Sequence, residues 1–337
     1  MRIKGEAALA PFQSRRPLRT ALPLLLLFIC LPASLLAQDP EPAKAALKLL
    51  MVGNSFSRNS AVYLPGLAKA GGKTLVLLNC VKSGCTLEEH AQGIQAAGTD
   101  PESPAARIYV GDGSYGIDPS FPTHFNLQEA LQYAKWDDAT IQQASILSYK
   151  AETYEPFAHA VVDAIHQYAP QAEILVHETW AYREDDPLFA KDGFTQEKMY
   201  AGLSAAYAKL ASDYQLRVLP VGDAFQAARA TERWHYLPDP AFDFTHSPAT
   251  GLPNQQGSLN RGWYQSANGL QLDARHANPA GEYLGAAVLY EVLFGENVEN
   301  VSFCPRELKP EEAADLRKIA HETVQARKNG AFPPANS

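Results

Sequence analysis

A short apolar run that ends in a glycine constrains the fold of this chain more than any other stretch. Leu49 to Gly53 reads Leu-Leu-Met-Val-Gly, and residues 60–70 carry apolar side chains at helical spacing. A continuous apolar run, rather than an alternating one, is typical of a strand that is buried on both faces. The stretch therefore predicts a strand, a turn and a helix, within a parallel sheet that has helices on either side.

Four later apolar runs repeat the strand pattern, and each is followed by a helical pattern. These runs are residues 74–79, 139–141, 173–177 and 217–219. Such alternation predicts an α/β protein with three α/β/α layers around a doubly wound, mostly parallel sheet. Two irregular stretches, near residues 92–132 and 234–271, are predicted to be long loop insertions.

The first 37 residues have the pattern of a secretory signal. Three arginines between positions 15 and 19 precede an apolar stretch that contains two prolines and ends in Leu-Leu-Ala. The stretch is short for a membrane span. We therefore expect residues 1–37 to be a signal peptide and residues 38–337 to form a single domain. The mature protein is then secreted or periplasmic, without a stable membrane anchor.

The charge of the chain argues against two classes of partner. The whole sequence has 29 basic and 37 acidic residues, a net charge of −8. Without residues 1–37, which hold five Lys/Arg and one Glu, 24 basic and 36 acidic residues remain, a net charge of −12. An excess of negative charge repels nucleic acids and anionic membranes, so we expect neither as a partner.

Cysteines and other metal-binding residues form no recognised ligand pattern. In an oxidising compartment Cys80 and Cys85 could form a disulfide, and three reduced thiols, with Cys304 as the third, are an equally ordinary interpretation. No Cys-x-x-Cys or Cys/His spacing indicates zinc. The trio of Asp243, His246 and His177 lacks ligand spacing as well, so we expect neither a metal nor another cofactor.

A serine, a histidine and a carboxylate are placed where they could perform acyl transfer. Ser55 follows the first strand at its carboxyl end, where open α/β sheets place their ligand crevice. A serine hydroxyl needs a base to take its proton, and His276 is a candidate. Asp273 lies three residues before this histidine and could orient its ring. The alternative is that Asn54 and Ser55 merely cap a helix.

The same sheet edge also offers hydrogen-bond donors for an oxyanion. Gly84 lies in the loop after the second strand, and Gln142 and Gln143 end the third. An attacked carbonyl develops negative charge, which the backbone N–H groups of Ser55 and Gly84 and one side-chain amide would stabilise. We expect that amide to come from Gln143 or, less favoured, from Gln142.

These motifs resemble the SGNH/GDSL hydrolases. The segment Gly-Asn-Ser-Phe-Ser around Ser55 resembles their first block, with Asn54 in place of the usual aspartate, and Asp273-Ala-Arg-His276 matches their last block. Gly84 lies where their second-block glycine is expected, whereas the third block, Gly-x-Asn-Asp, is missing. The segments around Trp-Asp at 136–137, Ile-Gln-Gln at 141–143 and His-Glu-Thr-Trp-Ala-Tyr at 177–182 are similar to a bacterial secreted subgroup of unknown function (DUF4886-like).

The resemblance implies a flavodoxin-like SGNH fold and a serine esterase that needs no cofactor. Ser55 would be the nucleophile, His276 the base and Asp273 its orienting carboxylate. Four further residues, which follow the first and fourth strands, are expected to contact substrate or to be ordinary packing. They are Asn54, His177, Trp180 and Tyr182.

The sequence predicts an O-acetyl ester on an extracellular carbohydrate as substrate, either a small molecule or a polysaccharide. Aromatic residues in the 234–271 stretch suit a sugar-facing wall, although they would equally suit a plug over the core. Two alternatives stay open: a non-catalytic carbohydrate-binding protein on the same fold, and a broad short-chain or lipid esterase. The sequence does not determine the oligomeric state.

Overall fold

The computed structural model describes residues 46–190, 193–242 and 251–330. The predicted signal peptide, and the positions Asp243 and His246, lie outside these ranges. No helix within these ranges is both long and apolar enough to cross a membrane.

Five parallel strands and two antiparallel ones form the main sheet in the described part of the chain. In chain order they are β1 (Leu47–Gly53), β2 (Leu75–Val81), β3 (Tyr109–Val110), β4 (His124–Phe125), β5 (Asp138–Ile141), β6 (Glu173–His177) and β7 (Arg217–Leu219). Their spatial order is β4-β3-β2-β1-β5-β6-β7. Strands β2, β1, β5, β6 and β7 are parallel. They therefore have the flavodoxin-like order of a doubly wound sheet, and the predicted fold class is confirmed.

Helices cover the sheet in two groups. The described α-helices are α1 (Ser55–Ala61), α2 (Leu64–Ala70), α3 (Leu87–Thr99), α4 (Leu127–Tyr133), α5 (Phe157–Tyr168), α6 (Gln196–Tyr214), α7 (Val221–Arg229), α8 (Pro279–Phe294) and α9 (Pro310–Lys328). One group consists of α3, α4 and α5, which pack against each other, and the other of α1, α2, α7, α8 and α9. Helix α6 packs against β6 and β7.

Strand β1 is the centre of this arrangement. It pairs with β2 on one side and β5 on the other, and Leu49, Leu50 and Met51 are fully buried. The chain order reverses between β1 and β5, which is the switch point where ligand crevices form in open α/β sheets. The segments that follow β1 and β5 therefore border the crevice.

The structure corrects three details of the predicted organisation. The first insertion is partly regular, because α3 continues to Thr99 and the short strands β3 and β4 extend the sheet at the β2 edge. The second ends in a hairpin of β8 (Asn260–Ser266) and β9 (Gly269–Ala277), so Asp273 and His276 lie on a strand. The first helix begins at Ser55 rather than near residue 60.

The three cysteines within the described ranges are not paired. Cys80 and Cys85 are buried free thiols, and Cys304 is a partly buried one. Burial raises the pKa of the Cys85 thiol to about 12, so this group stays protonated at neutral pH. Of the two interpretations that the sequence left open, the structure has the reduced thiols.

Candidate active site

Ser55 is held in place by the residue before it. Asn54 is the N-cap of α1, and its Oδ1 accepts a hydrogen bond from the backbone N–H of Phe56 at 3.0 Å. The same Oδ1 accepts from Gln142 Nε2 at 2.9 Å, while Asn54 Nδ2 donates to the Cys85 carbonyl at 3.1 Å. The turn is therefore tied to the segments after β2 and β5. As a first helical residue, Ser55 has a backbone N–H without an intrahelical acceptor.

The structure brings Ser55, His276 and Asp273 together, although 221 positions separate the serine from the histidine. Ser55 Oγ lies 2.8 Å from His276 Nε2. On the other side of the ring, His276 Nδ1 lies 2.9 Å from Asp273 Oδ2 and 3.1 Å from Oδ1. An ionised carboxylate only accepts, so Nδ1 carries the proton and Nε2 is free to accept the serine proton.

Asp273 is ionised because of its hydrogen bonds. Burial alone would raise the pKa of this carboxyl, but bonds from the His276 ring and from the His276 backbone N–H lower that pKa to about 2. The Asp273 side chain is 16% exposed and that of His276 is 40% exposed. The carboxylate therefore lies behind a ring that solvent and substrate can reach.

Contacts from two other elements hold β9 at this position. The backbone N–H of Ala277, directly after His276, donates to Asn59 Oδ1 of α1 at 3.4 Å. Trp180 Nε1, from the segment after β6, donates to the Arg275 carbonyl at 2.9 Å. The nucleophile and the base are thus linked through α1 as well as through their own side chains.

A further contact, from the segment after β6, supports the hairpin. The backbone N–H of Arg183 donates to the Ala274 carbonyl at 2.9 Å. On β8, Gly262 has a φ of +72°, and a Cβ there would lie 2.0 Å from Gln255 Oε1 and 2.2 Å from Arg183 Nη1. The pairing of β8 with β9 is irregular at this point. Glycine suits this position because its φ lies in the left-handed region and because a Cβ would collide with the side chains of Gln255 and Arg183.

A cavity of about 190 Å³ lies at the serine. Its lining residues are Asn54, Ser55, Phe56, Ser83, Gly84, Ala144, Ser145, Ile146, Tyr182, Arg275 and His276. Gly84 has a φ of +65° in the turn after β2, and its backbone N–H makes no hydrogen bond to other described residues. A larger cavity of about 400 Å³ lies near β7, but no histidine is among its described lining residues.

The prediction of a glutamine donor for the oxyanion is wrong. Gln143 Nε2 donates to the carbonyl and the hydroxyl of Thr153, at 3.0 and 3.2 Å. Its Oε1 accepts from the backbone N–H groups of Leu87 and Ala144. Gln142 is equally occupied, because its Nε2 donates to the cap residue of α1. Neither glutamine lines the cavity; both connect the segment after β5 to its neighbours.

His177 is buried rather than substrate-facing, so its predicted contact with substrate is wrong. Its side chain is fully buried, with Nδ1 2.5 Å from Gln142 Oε1 and Nε2 3.0 Å from Ser60 Oγ. Gln142 uses its Nε2 elsewhere, so Nδ1 must donate to Oε1 and Nε2 accepts from the Ser60 hydroxyl. Burial lowers the pKa of His177 to about 3, so the ring is neutral.

Trp180 is also part of the core, which makes its predicted contact with substrate wrong. It is fully buried and stacks between Phe56 and Phe225, with ring centroids 4.3 and 4.6 Å apart. Of the predicted contact residues, Tyr182 and Asn54 do line the cavity. The polar atoms of Asn54 already hold the serine turn.

Ser145 and Arg275 line the cavity but were missed as site residues. Ser145 Oγ lies 2.9 Å from the Tyr182 hydroxyl, at the place where a glutamine amide was expected. Its position just after β5, at the carboxyl end of a parallel strand, could have identified it as a site residue from the sequence. Arg275 lies between the two residues of the predicted Asp273-x-x-His276 pair, and nothing but that neighbourhood marked it.

No metal site accompanies this arrangement in the described residues. They contain no group of three or more His, Cys, Asp or Glu side chains that could hold a metal ion. Of the trio considered from the sequence, only His177 is described, and both of its ring nitrogens are engaged by Ser60 and Gln142.

Comparisons with known proteins agree with the fold and identify a family. Residues 48–235 match the family described as a domain of unknown function, DUF4886. A search of curated proteins found no match. The crystal structure of a DUF4886 family protein from Bacteroides uniformis matches with 25% identity and a TM-score of 0.66, over 84% of this chain and 96% of that one.

Two further solved structures match at lower similarity. A protein from Slackia heliotrinireducens, provisionally described as an SGNH hydrolase, is 20% identical with a TM-score of 0.42, over 73% of this chain and 98% of that one. A carbohydrate acetylesterase from Sinorhizobium meliloti is 14% identical with a TM-score of 0.30, over 52% and 85%. Likeness at this level says nothing about activity. The family match spans more than half of the sequence, and the chain belongs to the DUF4886 family.

Proposed function

We propose that this protein is a serine esterase that hydrolyses a short-chain ester through an acyl-enzyme. The observation that carries the proposal is the hydrogen-bonded series Ser55 Oγ, His276 Nε2 and Nδ1, and Asp273, which borders a cavity. A hydroxyl, a base with a free nitrogen and an ionised carboxylate are the groups that nucleophilic acyl transfer requires.

Each step follows from the positions of these groups. Ser55 Oγ attacks the ester carbonyl carbon and gives its proton to His276 Nε2, while Asp273 stabilises the imidazolium. The oxyanion receives hydrogen bonds from the backbone N–H groups of Ser55 and Gly84. His276 then gives the proton to the leaving alcohol, which leaves the acyl group on Ser55. Water then attacks the acyl carbon and gives a proton to the same histidine, which returns it to Ser55 Oγ as the bond to the serine breaks and the acid leaves.

The cavity supports a small acyl group. At about 190 Å³ it is smaller than the roughly 300–1,000 Å³ of sites for drug-sized ligands. Its lining is mixed, with serines and a glycine beside Phe56 and Ile146. An acetyl group fits such a volume better than a long acyl chain does.

The proposed substrate is an O-acetyl ester on an extracellular carbohydrate. Its extracellular location follows from the expected signal peptide. The aromatic residues of the 234–271 stretch give less support to a carbohydrate substrate than the sequence suggested. Trp234 and Tyr236 are buried, and neither lines the cavity. Acetate release from acetylated polysaccharides, compared with hydrolysis of long-chain esters, tests this part of the proposal.

Hydrolysis of 4-nitrophenyl acetate by the wild type and by Ser55→Ala tests the activity. We expect the substitution to lower kcat by at least about a thousandfold, because no other nucleophile replaces the hydroxyl. Ser60→Ala is the matched control on the same helix, since its hydroxyl contacts a histidine that is away from the cavity, and it should change kcat less than threefold.

Two results would contradict the proposal. Equal turnover by the wild type and Ser55→Ala would remove this serine from the reaction. Absence of turnover in both, together with retained binding of acetylated carbohydrate, would favour the non-catalytic alternative. Labelling by an organophosphonate, located by mass spectrometry, provides an independent readout, and we expect the label on Ser55.

A further inference from the structure

Arg275 is a partly exposed cation among the lining residues of the catalytic cavity. It lines the cavity together with Ser55 and His276, and its side chain is 44% exposed. Among the described lining residues it is the one with a permanent charge. The chain as a whole is acidic, with a net charge of −8, so a positive group at this position is contrary to the overall charge.

Contacts on one side hold the guanidinium rigidly. Its Nε donates to Asp186 Oδ2 at 2.9 Å, its Nη2 lies 3.4 Å from Oδ1, and its Cζ lies 4.7 Å from the centre of the Tyr182 ring. The Asp186 side chain is only 2% exposed, and its Oδ1 also accepts from the Leu188 backbone N–H at 2.9 Å. The carboxylate is therefore buried and accepts hydrogen bonds from both the arginine and the backbone.

The outer edge of the guanidinium is available to a ligand. Arg275 Nη1 has no hydrogen-bond acceptor among the residues that the structure describes. A second carboxylate nearby, Asp273, is occupied by His276 and lies 3.9 Å from Arg261. A preordered guanidinium fork with free donors is the arrangement that recognises carboxylates, because little side-chain entropy is lost on binding.

We propose that the substrate carries a carboxylate, which Arg275 binds while the ester lies at Ser55. This inference rests on the esterase proposed above. An acetyl group carries no charged substituent. The carboxylate therefore belongs to the alcohol part of the ester substrate, as in an O-acetylated sugar acid. The negative charge of the rest of the protein opposes this binding little, because salt screens exposed charges beyond about 8 Å at physiological ionic strength.

A matched pair of esters tests the inference. The two probes are 3-acetoxybenzoate and 3-acetoxybenzamide, which share the acetyl group and the ring but differ in charge. We expect the wild type to hydrolyse the charged ester with a kcat/KM about tenfold higher, the size of effect expected for a charge-assisted hydrogen bond at a partly exposed site. Arg275→Gln should lower this ratio to about one.

Arg261→Gln is the control on the same hairpin. Arg261 is 61% exposed, lies 3.9 Å from Asp273 and does not line the cavity. Its loss removes one positive charge near the triad, so it should change the rates of both esters by a similar factor and preserve their ratio. A ratio measured within one preparation does not depend on the fraction of the variant that is folded. In the wild type, we expect added salt to lower the ratio.

The outcomes separate this inference from the proposed function. If the wild type hydrolyses both esters equally, or if its preference survives Arg275→Gln, recognition of a carboxylate by this arginine is wrong while the esterase stands. If Arg261→Gln abolishes the preference as fully as Arg275→Gln, the effect is general electrostatics and the inference also fails. Hydrolysis of neither ester by the wild type would overturn the proposed function itself.

Discussion

Two of the three serines of helix α1 each contact a histidine from a distant strand. Ser55 Oγ lies 2.8 Å from His276 Nε2, and Ser60 Oγ lies 3.0 Å from His177 Nε2. In both pairs the second ring nitrogen has a partner as well. That partner is the carboxylate of Asp273 in the first pair and an amide oxygen in the second.

The difference between the pairs shows what a serine and a histidine need beyond proximity. Proton transfer to a histidine creates an imidazolium, which Asp273 stabilises in the first pair. In the second pair the amide carries no charge, and burial lowers the pKa of His177 to about 3. This ring cannot take up a second proton at neutral pH, and substrate cannot reach it. The second pair instead fixes Gln142, which in turn holds the cap beside the nucleophile.

Removal of each imidazole gives the largest expected contrast. His276→Gln should lower kcat for 4-nitrophenyl acetate by at least about 10⁴-fold, because the base is lost. His177→Gln should lower kcat less than tenfold and instead destabilise the fold by about 1–3 kcal/mol, because Ser60 and Gln142 lose a buried partner. Steady-state kinetics and urea unfolding measure the two effects. Similar losses of kcat in both variants would contradict the conclusion that only His276 acts as a base.

Replacement of the group that contacts the second ring nitrogen of each histidine gives the next largest effect. Asp273→Asn should lower kcat by about 10³–10⁴-fold, since the amide favours the wrong tautomer and cannot stabilise the imidazolium. The reverse exchange, Gln142→Glu, places a carboxyl in a fully buried site and should cost about 2–4 kcal/mol of stability at pH 8. A stable Gln142→Glu protein at that pH would show that the second pair tolerates charge.

The pH dependence of stability gives the smallest expected effect. The folded-state pKa of His177 is about 3, below the ordinary value of a histidine in the unfolded chain. The unfolded state therefore binds a proton first, and stability that is present above pH 6.5 is lost as the pH falls towards 3. Between pH 6.5 and 5 this loss amounts to about 1–2 kcal/mol.

His177→Asn removes this titration, so its free energy of unfolding should fall by about 1–2 kcal/mol less than that of the wild type over the same pH range. The buried His90, whose pKa burial likewise lowers to about 3, remains in both proteins and serves as the internal reference. Parallel curves for the wild type and the variant would mean that His177 is protonated in the folded state.

The sheet was predictable because its strands are buried on both faces. Continuous apolar runs mark β1, β2, β5, β6 and β7, and their alternation with helices leaves few topologies. Two features were not visible in that pattern. Strands β3 and β4 have two residues each, too few for a periodicity, and the start of α1, Ser-Phe-Ser-Arg-Asn, lacks an apolar stripe.

The approach of Ser55 to His276 and Asp273 could be anticipated because each lies in a short motif at a known place in the fold. The orientation of side chains could not. A glutamine has two donors and two acceptor sites, and which neighbour takes them depends on residues far away in sequence, such as Thr153 for Gln143. Trp180 follows a strand at its carboxyl end. An aromatic residue at such a position can line a pocket or pack in the core, and the sequence does not distinguish these two roles.

The hairpin of β8 and β9 carries both the catalytic base with its carboxylate and the proposed carboxylate-binding arginine, so one defect in it affects both. Asp273, Arg275 and His276 lie within four consecutive positions of one strand, and Gly262 fixes the irregular pairing opposite them. Because the positions of all three depend on the register of this one strand, a slip by a single position would displace them together. Errors in this hairpin would therefore abolish turnover outright rather than reduce it by degrees.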